Sequence, residues 1–200
     1  AIRAFQQVLY TDSNFPRRAE VHIRLGFIYK QLLDYKSSLK HFLRSYNDST
    51  LANGCTLSRQ EILFIIGRLY EIQGYLQQAY DTYEKLISTF APPEQTVSSP
   101  NGEQRNDHKL EAKVLRQLGW LYYYSGDLQT GQDKEQRLKK AIHSLETSIK
   151  YDNTCGISFY YLGRCYAACK KHTEAFFTYR NCVDKLDQNA DVWCSIGYEL

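Results

Sequence analysis

Methionine is absent from the 200 residues, and proline occurs only 4 times, three of them between 92 and 100. With no Met start and Ala1 opening in a helical pattern, the chain reads as a piece of a longer protein. No apolar run approaches the ~18 residues of a membrane span, and no secretory leader opens the chain. An excess of one charge is also missing: 25 Lys and Arg face 22 Asp and Glu, split 11 against 9 in the first hundred residues and 14 against 13 in the second. That balance is too even for an electrostatic nucleic-acid binder. The six cysteines (55, 155, 165, 169, 182 and 194) form no Cys-x-x-Cys pair and lack the spacing of a small secreted disulfide framework. They read as free thiols of a reducing compartment. Cys165, Cys169 and His172 can share a helical face as three metal ligands, but the fourth ligand of a closed zinc site is missing. Nucleophile elbow, Gly-rich phosphate loop and His-Glu-x-x-His are all absent, and the five histidines are scattered. His22 and His143 fall within helical patterns and His108 opens one. They read as packing or surface residues, not as bases. No catalytic, cofactor or metal residue is expected.

Apolar residues make up 43% of the chain and charged ones 24%, which excludes disorder for most of it. Tyrosine is abundant at 17 copies, and its placement is periodic. An apolar-Gly pair recurs five times, at Gly26, Gly67, Gly119, Gly163 and Gly197, with Tyr three residues after the first four glycines. After each full repeat comes a small residue followed four positions on by a large one: Ser38/Phe42, Ala79/Tyr83, Ala141/Leu145 and Ala175/Tyr179. Gly163 to Gly197 and Ala141 to Ala175 both span 34 residues. That period belongs to the tetratricopeptide repeat. The expected fold is all-α, a right-handed superhelical solenoid of helix-turn-helix units, about four of them with partial units at both ends. Gly and the small residue would let paired helices approach, and the aromatics would fill the space between neighbouring units.

Helices are predicted near 1–12, 16–31, 35–47, 58–73, 75–89, 108–125, 135–151, 156–169, 172–186 and 190–200. The period is broken by inserts. Gly26 to Gly67 carries about seven extra residues near 47–57, and Gly67 to Gly119 about eighteen. Most of the latter fall in a Pro/Ser-rich stretch, so 91–107 is expected to be a flexible loop and 127–137 a lengthened turn. Each insert reads either as tolerated surface length or as a contact loop.

In such an array the first helix of each unit lines the concave side. Positions three before, one after and four after each Gly would face inward. They are Ile23, Phe27 and Lys30; Phe64, Arg68 and Glu71; Arg116, Trp120 and Tyr123; and Tyr160, Arg164 and Ala167. From Phe64 to Arg164, with Lys113 nearby, they make a groove of aromatics and arginines suited to protein recognition. Several of them, Tyr160 and Trp120 above all, would serve equally well as packing.

Longer strings are more specific than the repeat. Glu20-Val21-His22-Ile23-Arg24-Leu25-Gly26, Tyr161-Leu162-Gly163-Arg164-Cys165-Tyr166 and Ala190-Asp191-Val192-Trp193-Cys194-Ser195-Ile196-Gly197 resemble the amino-terminal repeats of the UTX/UTY histone demethylases. So do Ala1-Ile2-Arg3-Ala4-Phe5-Gln6-Gln7-Val8-Leu9-Tyr10, Ser38-Leu39-Lys40-His41-Phe42 and Gln117-Leu118-Gly119-Trp120. The resemblance covers nearly the whole chain in order, and the 91–107 loop and the many tyrosines depart from it. It implies a parent enzyme whose separate JmjC domain binds iron and 2-oxoglutarate and removes a repressive methyl mark from a histone lysine, thereby activating transcription. It implies a nuclear protein whose repeats dock chromatin-complex proteins, namely methyltransferase-complex subunits and Groucho-type corepressors. The iron-binding set, a His-x-Asp/Glu pair with its distal His, has no counterpart here, so iron and 2-oxoglutarate are expected only outside this segment. No direct nucleic-acid, membrane or small-molecule partner is expected.

Two other readings stand beside this one. A co-chaperone domain gripping an acidic peptide tail would need Lys and Asn on the first unit's inner helix, where Ile23 and Phe27 stand, although Lys113 and Arg116 fit its third-unit positions. A transport or ubiquitin-ligase subunit is separable only by residues beyond Leu200.

Overall fold

Local chemistry sets where the helices start and stop. In the computed structural model, residues 1–12, 15–52, 54–90, 103–125, 132–186 and 190–199 are described. They form α1 (Ile2–Thr11), α2 (Arg18–Gln31), α3 (Tyr35–Asn47), α4 (Arg59–Ile72), α5 (Leu76–Ile87), α6 (Glu103–Ser125), α7 (Gln132–Tyr151), α8 (Gly156–Ala168), α9 (His172–Val183) and α10 (Ala190–Glu199), with a 3-10 turn at Ser49–Ala52. Ser58 and Glu61 make a reciprocal capping box at the start of α4, and the Asp34 carboxylate accepts from Ser37 N at the start of α3. Seven residues after the repeat glycine, Leu33, Gly74 and Lys170 take φ of 60°, 79° and 59°. There the carbonyls of Tyr29, Tyr70 and Tyr166 accept from Asp34, Tyr75 and Lys171 N at 3.0, 2.9 and 2.9 Å. These 6→1 bonds turn the chain into the second helix of the pair. No helix among the described residues is long and apolar enough to cross a membrane.

The chain divides into two units, Ala1–Leu86 and Ile87–Leu200. In the first, Ile23 of α2, Phe42 of α3 and Ile62, Ile66 and Leu69 of α4 form the core. In the second, Ala141 and Leu145 of α7 pack with Leu162 and Cys165 of α8.

The repeat glycines explain the helix pairing. A Cβ on Gly26 would lie 2.7 Å from the Phe42 ring, one on Gly67 2.5 Å from Tyr83, one on Gly119 2.7 Å from Leu145 and one on Gly163 2.5 Å from Tyr179. Three of these pairs are separated by 16 residues, and Gly119–Leu145 by 26 because of the insert in its turn. The large residue therefore fills a notch within its own helix pair, and Phe42 and Leu145 also reach the first helix of the next pair, packing with Ile62 and Ile66 and with Leu162 and Cys165 as the sequence suggested. Hairpin geometry places it opposite the missing side chain. The small residue one turn earlier is fully buried in each case, at Ser38, Ala79, Ala141 and Ala175. Ser38 also donates to the Gly26 carbonyl at 2.8 Å, so its buried hydroxyl is satisfied. Gly197 differs: nothing lies within 4 Å of its Cβ position, because no paired helix follows α10 in these residues.

Two insert boundaries also differ. Residues 103–107, expected within the 91–107 loop, already belong to α6, while 91–102 lie outside the described residues. Residues 132–137 of the expected 127–137 turn belong to α7, and 127–131 lie outside. Glu103-Gln104-Arg105 and Gln132-Asp133-Lys134-Glu135 are polar, mostly strong helix formers that extend a helix without an apolar stripe. The 47–57 insert is packed against its own unit: Leu51 enters the core, Asp48 pairs with Arg18 at 2.6 Å, and Thr50 Oγ1 accepts from Ala19 N at 3.0 Å.

Gly163→Ala should destabilise the chain by ~1–3 kcal/mol through overpacking against Tyr179. Gly197→Ala, with open space and helical backbone, should be neutral or stabilise by up to about 1 kcal/mol. Thermal melts of the two variants check this, and equal melting temperatures would refute the notch. Leu33 is exposed with φ of 60°, so Leu33→Gly should raise stability by about 1 kcal/mol in denaturant titration.

Candidate functional site

Two of the three inward positions of α2 pack with the core, and the third, Lys30, is half-buried in the last turn. Ile23 is fully buried, and Phe27 meets the Phe42 ring edge-on at 5.3 Å. In α4, Phe64 leans on Tyr83 at 6.0 Å between ring centres. Arg68 pairs with Glu71 at 2.9 Å, and the Tyr83 hydroxyl donates to the other Glu71 oxygen at 3.0 Å. Phe64, Arg68 and Glu71 are thus brought together, but the arginine is neutralised within its own helix. Burial and the Glu71 carboxylate push the Tyr83 hydroxyl above its ordinary range, which keeps it a donor.

The second unit holds a different arrangement. Trp120 on α6 stacks on Tyr161 of α8 at 4.6 Å and on Tyr123 at 5.5 Å. Arg164 of α8, half-buried, lies over three rings: Tyr123 at 5.3 Å, Trp120 at 5.7 Å and Tyr160 at 5.9 Å. Burial alone would lower the Arg164 pKa, but the Tyr123 and Tyr160 hydroxyls more than offset it and hold the guanidinium charged. No carboxylate lies within ion-pair distance of Arg164 among the described residues. Tyr160 also leans on Tyr179 at 6.2 Å, so it packs and lines the site at once.

Arg116 reaches the α7–α8 connection: its Nη1 donates to Cys155 Sγ at 2.8 Å, and its buried Nε has no partner. Lys113, one turn earlier, is exposed. Of the third-unit cations that a peptide-tail clamp needs, only Lys113 projects into solvent. Ala167 is half-buried in the last turn of α8.

Sequence periodicity did not reveal that Tyr161 belongs to this cluster, because it flanks the inward positions. Nor did it pair His22 with His41. Their Nδ1 atoms stand 3.0 Å apart and Tyr29 stacks on His41 at 5.3 Å. Burial, the partner ring and the Arg44 charge lower His22 to about 4, and burial with Arg44 and Lys40 lowers His41. The signal lay in the 19-residue separation, which places His22 on α2 opposite His41 on α3.

Among the described residues no three His, Cys, Asp or Glu side chains converge as metal ligands. Cys165, Cys169 and His172 do not share one helical face, since α8 ends at Ala168 and His172 opens α9. Burial pushes the Cys165 thiol up to about 12 and that of Cys182 to about 11, so both stay protonated. His172 and Glu174 have the His-x-Glu spacing, but both are exposed and no His follows them. The residues present do not fit an iron centre. His108, expected to open a helix, lies inside α6 against the Tyr151 ring at 5.2 Å.

With this geometry in place, the comparisons agree on the architecture. Residues 60–89, the α4–α5 pair, match the tetratricopeptide repeat family. The chain is 38% identical over 78 residues to the general transcriptional corepressor ssn6 of Schizosaccharomyces pombe, which is 39% of this chain and 6% of that protein. It is 36% identical over 83 residues to the general transcriptional corepressor trfA of Dictyostelium discoideum, 42% of this chain and 6% of that protein. The matches thus span only a small part of these relatives' length. The crystal structure of a thermophilic tetratricopeptide protein from Thermus thermophilus superposes with a TM-score of 0.63 at 14% identity, covering 90% of this chain and 80% of that one. The fold is a helical tetratricopeptide-repeat solenoid.

The histidine pair generates a pH dependence. Folding holds both imidazoles below the ordinary value of 6.5, so the unfolded chain takes up protons first as pH falls. The stability they contribute is complete above pH 6.5 and is lost towards pH 4. The melting temperature should therefore fall between pH 6.5 and 5, and His22→Gln with His41→Gln should flatten that window.

Proposed function

We propose that this chain is a protein-docking scaffold of a transcription regulator, and that the α6/α8 surface centred on Arg164 receives a carboxylate of a partner protein. The observation that carries this reading is a guanidinium held by three aromatic rings without a carboxylate beside it. Such a cation is already oriented and partly desolvated, so a carboxylate gains a charge-assisted bond at little ordering cost. Trp120 and Tyr123 supply the apolar contact that surrounds such an anchor. Arg68, spent on Glu71, is not part of the site.

The similarity to two general transcriptional corepressors supports a transcriptional, nuclear setting. The strings that resemble the UTX/UTY repeats support a narrower reading, in which the parent is a histone lysine demethylase. Its docking partners would then be methyltransferase-complex subunits and Groucho-type corepressors. In that reading this segment does no chemistry, and iron and 2-oxoglutarate serve a JmjC domain outside it. Assay of the full-length protein for 2-oxoglutarate-dependent demethylation of histone peptides tests the narrower reading alone; no turnover would remove it and leave the scaffold.

Arg164→Ala should weaken capture of nuclear partners at least tenfold, as expected of a hot-spot truncation. Arg164→Lys should recover little, because the planar fork is lost. Lys150→Ala, an exposed change on α7, serves as the control. Equal losses in the variant and the control would remove the α6/α8 surface as the docking site.

A further inference from the structure

The face of α3 in the first unit is charged in a way that folding does not explain. Lys36, Lys40 and Arg44 stand four residues apart along one stripe, all exposed, and α3 contains no Asp or Glu. None of the three has a carboxylate within ion-pair distance among the described residues. The two acids that flank α3 are engaged: Asp34, which also feels the Lys36 charge, caps α3 through Ser37 N, and Asp48 is held by Arg18 at 2.6 Å and by Thr50 at 2.9 Å. Like charges at this spacing repel and weaken the helix. The buried His22 and His41 behind the stripe stay neutral, so they neither add to nor relieve that charge. The stripe is an unfavourable arrangement that an external anion would relieve.

Two clefts meet at this stripe. One is lined by Lys36, Lys40 and Arg44, by Leu39 and Leu43 as its apolar part, and by Asp48, whose carboxylate Arg18 already holds. The other shares Lys40 and Arg44 and adds Leu9, Tyr10 and Tyr29. Tyr10, 88% exposed, is an unused aromatic anchor at the end of α1. Along a helix, four residues rise about 6 Å. In an extended chain, alternate residues are about 6.6 Å apart and point the same way. Cations at this spacing therefore match carboxylates at every second position of an extended segment.

We propose that the Lys36–Lys40–Arg44 face of α3 is a second docking site, for an extended acidic segment of a partner protein with carboxylates at alternate positions. It lies in the first unit and does not depend on the Arg164 reading. Charge and length favour a protein segment over a nucleic acid, since the clefts are floored by leucines and the stripe spans only three cations.

The test uses the 200-residue chain and a fluorescent peptide of alternating Glu and Ser. Its partners in the assay are a peptide of the same composition with contiguous Glu and an oligonucleotide of equal charge. Anisotropy should show salt-dependent binding of the alternating peptide, at least fivefold tighter than the contiguous one. Lys40→Glu with Arg44→Glu should weaken it at least tenfold, and the neutral pair Lys40→Gln with Arg44→Gln should give an intermediate loss. Unchanged helicity of the neutral pair excludes unfolding as the cause. Lys150→Glu, an exposed charge reversal on α7 outside both sites, should leave this binding intact. If Lys150→Glu weakens it as much as the α3 pair does, or the oligonucleotide binds as tightly as the peptide, the α3 site is overturned.

Discussion

The helix pairs depend on one steric fact: the first helix has no side chain where the second helix presents a large buried one. The gap beside Gly67 is filled by the Tyr83 ring so closely that a single Cβ would sit 2.5 Å from it. Glycine in a helix costs about 1 kcal/mol, so the contact must return at least that much in buried ring area. Because the contact is made within a pair, it fixes how far one helix sits along its neighbour. That in turn decides which flanking positions face outward. Gly119 obeys the same rule with Leu145 despite its longer turn, so loop length can vary while register does not.

The three arginines that recur beside these glycines show how tertiary neighbours sort identical chemistry. Arg68 is neutralised by Glu71, a residue one turn away on the same helix. Arg116 is drawn to the Cys155 sulfur at the start of α8. Arg164 meets rings and hydroxyls, which hold its charge without cancelling it. The Tyr123 and Tyr160 hydroxyls bond this guanidinium as well, and of its five N–H donors those they leave match a carboxylate. Only the last arrangement leaves recognition capacity unspent.

Uncompensated charge is the common thread of both proposed surfaces. Around Arg164 the cation is ordered by its aromatic neighbours; on α3 three cations repel one another in solvent. The buried His22–His41 pair sits where positive neighbours and burial both disfavour protonation, so that region carries no switchable charge near neutral pH.

The sequence alone was sufficient for the helix pairs, their all-α class and the close-packing columns. A missing side chain and an apolar period leave a direct trace in the order of residues. It also brought Trp120, Tyr123, Tyr160 and Arg164 to one list through helical spacing. Which of those residues pack and which stay available was decided only in three dimensions. Ile23 shares the register of Tyr160 yet is fully buried, and Phe27, at the register of Arg164, packs against the core and meets Phe42 edge-on. The assignment of rings to the inside of a pair, the engagement of Arg68 and the meeting of His22 with His41 depend on the partner helix. Spacing records the face a residue points to, but not what stands opposite.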